Sequence, residues 1–125
     1  MSRLLVAMLL GAAALPAAAC GACDEDKVAA TYDHAVVQRA AAAKKLVVFC
    51  AVQGPHYSVE RARGAARRTA GVDVASVRTS SQPPTLSFAV DARKRTVESA
   101  VAALQHDAPA GTRISIVRVL GNAGI

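Results

Sequence analysis

Hydrophobic residues recur along the chain at two spacings, which predict an alternation of helices and strands. Val28, Tyr32 and Val36 form one apolar stripe at helical spacing, behind an acidic start that suits the helix dipole. This pattern predicts a single helix over residues 24–43. Residues 46–52 are an unbroken apolar run between a Lys-Lys pair and a Gly-Pro pair, which predicts a strand buried on both faces.

The alternation continues to the end of the chain. Ser58 is a favourable N-cap for a predicted helix over residues 58–70. The later elements are a strand at 72–79, a strand at 86–90, a helix at 97–104 and a strand at 113–120.

From residue 45 onward the order is β-α-β-β-α-β, the order of the ferredoxin-like split βαβ sandwich. It predicts an α+β fold with a four-stranded antiparallel sheet and two helices on one face. Because the strand at 46–52 is apolar on both sides, the other face also needs cover. The extra N-terminal helix is expected to supply this cover through its stripe of Val28, Tyr32 and Val36.

Residues 1–19 have the features of a secretory signal peptide. Arg3 precedes an apolar run over residues 4–19 that ends in three alanines. The run is shorter than the roughly 20 residues that a transmembrane helix needs. We therefore expect cleavage after Ala19, a periplasmic or envelope-attached location, and Cys20 as the mature N-terminus. A bacterial lipoprotein signal also ends before a cysteine, so a lipid anchor on Cys20 is an alternative.

Three segments resemble the heavy-metal-associated domain, which is the fold of copper chaperones and of the periplasmic mercury-binding protein. They are the segment at 71–77 that begins with Gly-Val, the predicted strand at 86–90 with its alternating apolar residues, and the predicted helix at 97–104. The resemblance spans residues 46–120 and implies the ferredoxin-like fold for this part of the chain.

The loop after the first predicted strand departs from that family. The family binds metal there through Cys-x-x-Cys, whereas Tyr57 and Glu60 stand at the two cysteine positions of this chain. His56 is the best remaining ligand in the loop, and a single histidine is expected to be a bystander. The fold is therefore carried over from the resemblance, and the metal activity at this loop is not.

A Cys-x-x-Cys does occur at Cys20 and Cys23, directly after the predicted cleavage site. The stretch CGACDEDKVAATYDH is similar to the mature start of small exported bacterial proteins. A spacing of two residues lets both sulfurs reach one ion or each other. Three interpretations stay open: a soft-metal site suited to copper as Cu(I), a disulfide in an oxidising compartment, and a lipid anchor at Cys20.

Two further candidate ligands are predicted not to join this site. In one continuous helix His34 is 11 positions, or about 16 Å, from Cys23, which is too far for a shared zinc ion. Cys50 shares the parity of the inward-pointing residues of the first strand and is expected to be a buried, unreactive thiol.

Charge and motifs argue against two function classes. The chain carries 15 Lys and Arg against 9 Asp and Glu, yet its two Tyr and two Phe are scattered. The stacking platform of single-strand nucleic-acid binders is therefore missing from the sequence. A nucleophile elbow, a phosphate loop and a His-Glu-x-x-His motif are missing as well. We expect no nucleic-acid partner and no enzymatic activity.

These observations divide the sequence into a signal peptide at 1–19, a Cys-x-x-Cys with an N-terminal helix at 20–44, and a domain at 45–125 that resembles the heavy-metal-associated fold. The predicted function is binding or carriage of a soft metal ion such as copper through Cys20 and Cys23. The alternative is a structural or partner-binding envelope protein without metal, for which a lipid anchor at Cys20 is one option. The pattern does not specify the ion, a protein partner or the oligomeric state.

Overall fold

The computed structural model describes residues 23–121, and its elements follow the predicted order with two corrections. The helices and strands are α1 Asp24–Thr31, α2 His34–Ala42, β1 Leu46–Gln53, α3 Val59–Arg68, β2 Arg78–Ser81, β3 Pro84–Val90, α4 Val97–Asp107 and β4 Arg113–Leu120. The predicted signal peptide at 1–19 and Cys20 lie outside the described residues. Within residues 23–121, no helix has both the length and the apolarity needed to cross a membrane.

The four strands form one antiparallel sheet in the order β2-β3-β1-β4. β1 is central, so Val48 lies opposite Phe88 on one side and opposite Val119 on the other. β2 and β4 are the edges of the sheet. The chain is thus a mixed helix-and-strand protein with a four-stranded antiparallel sheet, as the apolar pattern predicts.

One face of the sheet packs on α3 and α4 and forms the main core. Alternate side chains of β1, including the fully buried Val48, point to this face. There they meet Phe88 of β3 and Leu104 of α4, both of which are also buried. Every residue of β1 except the terminal Gln53 is buried, which explains why the strand is an apolar run without alternation.

The other face of the sheet is covered by α1 and α2, which confirms the expected place of the N-terminal segment. Val47 and Phe49 of β1 pack with Val28 and Ala40 in a second core. The ring of Tyr32 stacks on Phe49, with centroids 6.4 Å apart and planes inclined by 8°, although Tyr32 is 45% exposed. β1 is therefore enclosed by helices on both sides.

The prediction of one continuous N-terminal helix is wrong, because the chain breaks between α1 and α2. Tyr32 and Asp33 have extended backbone conformations. The Asp33 carboxylate accepts hydrogen bonds from the backbone N–H groups of Ala35 at 3.0 Å and Val36 at 3.3 Å, and so caps α2. It also accepts a hydrogen bond from Arg78 Nε at 3.0 Å, which ties the break to β2.

The Asp33 cap predicts a pH-dependent contribution to stability. Hydrogen bonds from Arg78 and from the backbone hold the pKa of Asp33 below its ordinary value. A carboxyl group with a lowered folded-state pKa stabilises the fold above its unfolded pKa, and this contribution is lost as the pH falls through the folded pKa. We expect Asp33→Ala to lower the urea midpoint at neutral pH more than Asp33→Asn, which keeps a cap and loses the ion pair.

When the pH is lowered from neutral to below about 4, which is the ordinary pKa of an aspartate, the wild type should lose stability. Both Asp33 variants should lose less, because they have no carboxylate at this position to protonate. Urea titrations at several pH values measure this difference. Identical midpoints for the alanine and asparagine variants would contradict the capping role.

The strand predicted at 72–79 is wrong over most of its length. Val74–Ser76 form a short 3-10 turn, and β2 starts only at Arg78. The Asp73 carboxylate accepts a hydrogen bond from the backbone N–H two residues on, and Ser76 Oγ donates to the Asp73 carbonyl oxygen at 2.6 Å. Short polar side chains that bond the local backbone compete with the sheet ladder, so pairing with β3 is interrupted between the isolated bridge of Val72 with Val90 and the start of β2.

Candidate functional site

Of the two predicted metal ligands, Cys23 lies within the described residues and Cys20 lies outside them. Cys23 is exposed and occupies the N-cap position of α1 with an extended backbone. Its thiol donates to Asp26 Oδ2, three residues on, at an Sγ to Oδ2 distance of 3.5 Å. The structure thus places a surface thiol beside a carboxylate at the start of a helix.

An ion pair fixes α1 to the sheet. Arg118 of β4 donates through Nη2 to Glu25 Oε2 at 3.1 Å. Arg118 lies opposite Phe49, whose side chain belongs to the core under α1 and α2. Cys23 is therefore held near the β4 edge, on the sheet face that points away from α3 and α4.

His34 does not join Cys23 in a metal site. The predicted distance between the two residues assumed one continuous helix, and the break between α1 and α2 shows that this assumption is wrong. The two residues are still separated by α1, which has eight residues and is about 12 Å long. His34 is exposed at the start of α2, where its Nδ1 lies 3.3 Å from the Tyr32 hydroxyl. In the part of the chain that the structure describes, no three His, Cys, Asp or Glu side chains are grouped to hold a metal ion.

Cys50 is buried in the middle of β1, as its parity predicts, with 1% of its surface exposed. Burial raises the pKa of Cys50 to about 12, because a thiolate in the core would lose its hydration. Since the thiolate is the reactive form, this thiol is chemically inert in the folded protein.

Alkylation should distinguish the two thiols that the structure describes. We expect iodoacetamide at mildly alkaline pH to modify Cys23 in the native protein and to modify Cys50 only after unfolding in guanidinium chloride. Peptide mapping by mass spectrometry measures each position separately. Native modification of Cys50 at the rate of Cys23 would show that β1 opens far more readily than its burial predicts.

The loop after β1 is organised by Tyr57, one of the two residues predicted to stand where the heavy-metal-associated family has cysteines. The Tyr57 hydroxyl lies 2.9 Å from the Ser80 carbonyl oxygen and 3.1 Å from that of Thr85, and this ties the loop to the hairpin of β2 and β3. Burial raises the pKa of Tyr57, so the phenol stays a neutral donor. The neighbouring His56 lies on the α3 and α4 side of the sheet, away from Cys23.

A cavity of ≈ 330 Å³ lies between α3, α4 and the sheet. Val52, Leu86 and Leu104 form apolar parts of its wall, and charged side chains of α3 and α4 line it together with small and loop residues. Its volume is within the range of small-molecule sites. Sequence reasoning missed this cavity, although one signal was available in the small residues that leave space on α3, namely Ala62, Gly64 and Ala65.

Among residues 23–121, two places on opposite faces of the sheet are candidate sites. One is the start of α1, with its exposed thiol and carboxylate, and the other is the cavity between α3 and α4. Comparison with protein-family models, with curated proteins and with solved structures found no match to this chain.

Proposed function

We propose that this protein is an exported, non-enzymatic carrier of a soft metal ion, which it binds through Cys20 and Cys23. The observation that carries the proposal is the position of Cys23. Its thiol is exposed on a helix that is fixed to the sheet, and it makes no capping bond to the described backbone. A thiol in this position is accessible both to an ion and to a second thiol three residues earlier.

The ligand chemistry favours Cu(I) or a similar ion. Two thiolates suit a soft ion of low coordination number, and residues 23–121 supply no further group of ligands. Asp26 is a hard oxygen ligand, which a soft ion binds less readily. Together with its acidic neighbours in the first turn of α1, it attracts cations toward the thiols.

We further propose that β1 to β4 with α3 and α4 form a ferredoxin-like domain of the heavy-metal-associated type. The order β2-β3-β1-β4, antiparallel throughout, and the packing of α3 and α4 on one face support this proposal. α1 and α2 are then an addition on the other face. In this arrangement Cys23 stands at the start of the added helices, and Tyr57 takes the place of a ligand in the usual loop.

Export is part of the proposal, because cleavage after Ala19 makes Cys20 the N-terminal residue. In an oxidising compartment a disulfide between Cys20 and Cys23 competes with the metal. A lipid on Cys20 would remove that thiol from the site and attach the protein to a membrane.

Partner binding is the second candidate function, and the β4 edge favours it. β4 pairs with β1 alone, and its Ile116 and Val119 side chains are each 39% exposed. Ile114 and Ile116 border a shallow groove against Val101 of α4. A half-buried apolar edge of this kind can receive an extended segment of another protein.

Metal binding should depend on both N-terminal cysteines. We expect the reduced protein with its native N-terminus to take up one Cu(I) per chain in anaerobic competition with a chromogenic chelator. Cys20→Ser and Cys23→Ser should each abolish tight binding, because a single thiolate has no chelating partner. Cys50→Ser is the matched control and should leave the stoichiometry unchanged, since that thiol is buried.

The intact mass of the same sample identifies the state of Cys20 before metal is added. A diacylglyceryl adduct on Cys20 would support the partner-binding alternative, and a disulfide requires reduction before the titration. Undiminished stoichiometric binding by the Cys20→Ser/Cys23→Ser double variant would contradict the proposal. Failure of the reduced, unlipidated wild type to bind Cu(I) would do so too.

A further inference from the structure

The cavity between α3 and α4 holds charged side chains of both signs. Arg61 and Arg68 line it, and so do Glu60 and Asp107. Among residues 23–121, none of these four side chains forms a salt bridge. Beside them lies an apolar wall that includes the buried Leu104. A mostly apolar hollow with a few unpaired charges is typical of a site for a small polar-ended ligand.

Gly64 makes room for one of these charges. Glycine inside a helix is destabilising relative to alanine, so its presence in the middle of α3 calls for a reason. A Cβ on Gly64 would lie 3.2 Å from Arg68 Nη1, so the guanidinium lies along α3 in space that an alanine would narrow. Arg68 thus reaches back from the last turn of α3 to the cavity wall. A guanidinium can bind a carboxylate there through two parallel hydrogen bonds.

The two acids lie toward the other end of the cavity. The loop after β1 meets the loop before β4, since a Cβ on Gly54 would lie 2.8 Å from the Gly111 carbonyl oxygen. The start of α3, with Glu60, and the end of α4, with Asp107, therefore lie at the same end of the sheet. Gly64 is four residues from Glu60, so the two charged ends are separated by roughly 6 Å along α3.

Thr112 lines the cavity and also carries an unsatisfied polar atom. Its hydroxyl Oγ1 is buried and has no hydrogen-bond partner among the described residues, whereas its carbonyl oxygen accepts a bond from Gln105. A buried hydroxyl without a partner is unfavourable, and because it is closed to solvent, a ligand in the cavity could reach it only after the Thr112 side chain turned.

We propose that this cavity binds a short apolar peptide with free termini, of dipeptide size. Its carboxylate lies against Arg68. Its ammonium lies at the other end, where the two negative charges of Glu60 and Asp107 exceed the single positive charge of Arg61. Its side chains lie against the wall that contains Leu104. Two extended residues span up to about 7 Å, which matches the separation of the charged ends. The proposal does not depend on the thiols.

Ala-Leu and its two blocked forms test this assignment. Isothermal titration calorimetry with Ala-Leu is expected to show one site per chain. N-acetyl-Ala-Leu and Ala-Leu amide each lack one charge and should bind about tenfold more weakly or worse. Arg68→Ala should weaken Ala-Leu about tenfold and should leave the affinity for the amide unchanged, because the amide has no carboxylate to lose.

Arg67→Ala is the matched control, since Arg67 neighbours Arg68 on α3 but does not line the cavity. It should bind Ala-Leu like the wild type, as should the Cys20→Ser/Cys23→Ser double variant, which separates this inference from metal binding. Methyl chemical-shift changes are expected at Leu86 and Leu104. The inference is overturned if Ala-Leu does not bind at millimolar concentration, or if both blocked forms bind as tightly as Ala-Leu. It is also overturned if the chemical-shift changes occur beside β4 and not at Leu86 and Leu104.

Discussion

Replacing Phe88 or Leu104 by alanine is expected to lower the free energy of unfolding by about 2–5 kcal/mol. Phe88 is fully buried in β3, and Leu104 on α4 is 1% exposed in the same core. Truncating either side chain leaves a void that its closely packed neighbours fill only in part. Urea unfolding followed by far-ultraviolet circular dichroism measures the change.

The arginines of α3 provide the control for these core variants. Arg61→Ala and Arg68→Ala remove exposed side chains and should change the free energy of unfolding by no more than about 0.5 kcal/mol. Losses at these positions as large as that of Phe88→Ala would show that the inward and outward faces are assigned wrongly.

Gly54→Ala is expected to have the second-largest effect on stability. Gly54 has a φ of 139°, a conformation that residues with a Cβ rarely adopt. The new Cβ would lie 2.8 Å from the Gly111 carbonyl oxygen and 3.0 Å from Thr112 Cα, and these backbone atoms cannot rotate away. We expect a loss of at least about 2 kcal/mol, because backbone strain and a steric clash act together.

Gly111→Ala separates these two causes. Gly111 also has a positive φ, of 87°, but a Cβ there would meet no described atom within 4 Å. Its expected cost is the conformational one alone, about 1–2 kcal/mol. Equal midpoints for the two variants in urea would contradict the close approach of the loop after β1 to the loop before β4.

Hydrophobic periodicity predicted the buried elements well. β1, α3, β3, α4 and β4 all begin and end within three residues of the predicted positions. β1, α3, β3 and α4 bury one face or both, so their apolar patterns report their environment directly, whereas the edge strand β4 is at most half-buried. The need to cover the second face of β1 likewise predicted where the N-terminal segment would pack.

The errors arose where local hydrogen bonds decide the structure. The helical spacing of Val28, Tyr32 and Val36 runs past Asp33 without interruption, and it cannot show that the Asp33 carboxylate caps α2. Asp73 and Ser76 interrupt the second predicted strand in the same way. The exposed position of Cys23 could be anticipated from the acidic helix start, whereas its location beside β4 depends on Arg118, which is distant in sequence. The cavity depends on the spacing of two helices, which no local pattern encodes.

The ion pair between Glu25 and Arg118 joins residues 93 positions apart, and that between Asp33 and Arg78 joins residues 45 positions apart. During synthesis the first helix therefore has no complete docking surface until the last strand has emerged. Contacts between such distant residues also slow folding. Until α1 and α2 pack on it, the face of β1 that carries Val47 and Phe49 is exposed apolar surface, and such surface on a folding chain is prone to intermolecular contacts.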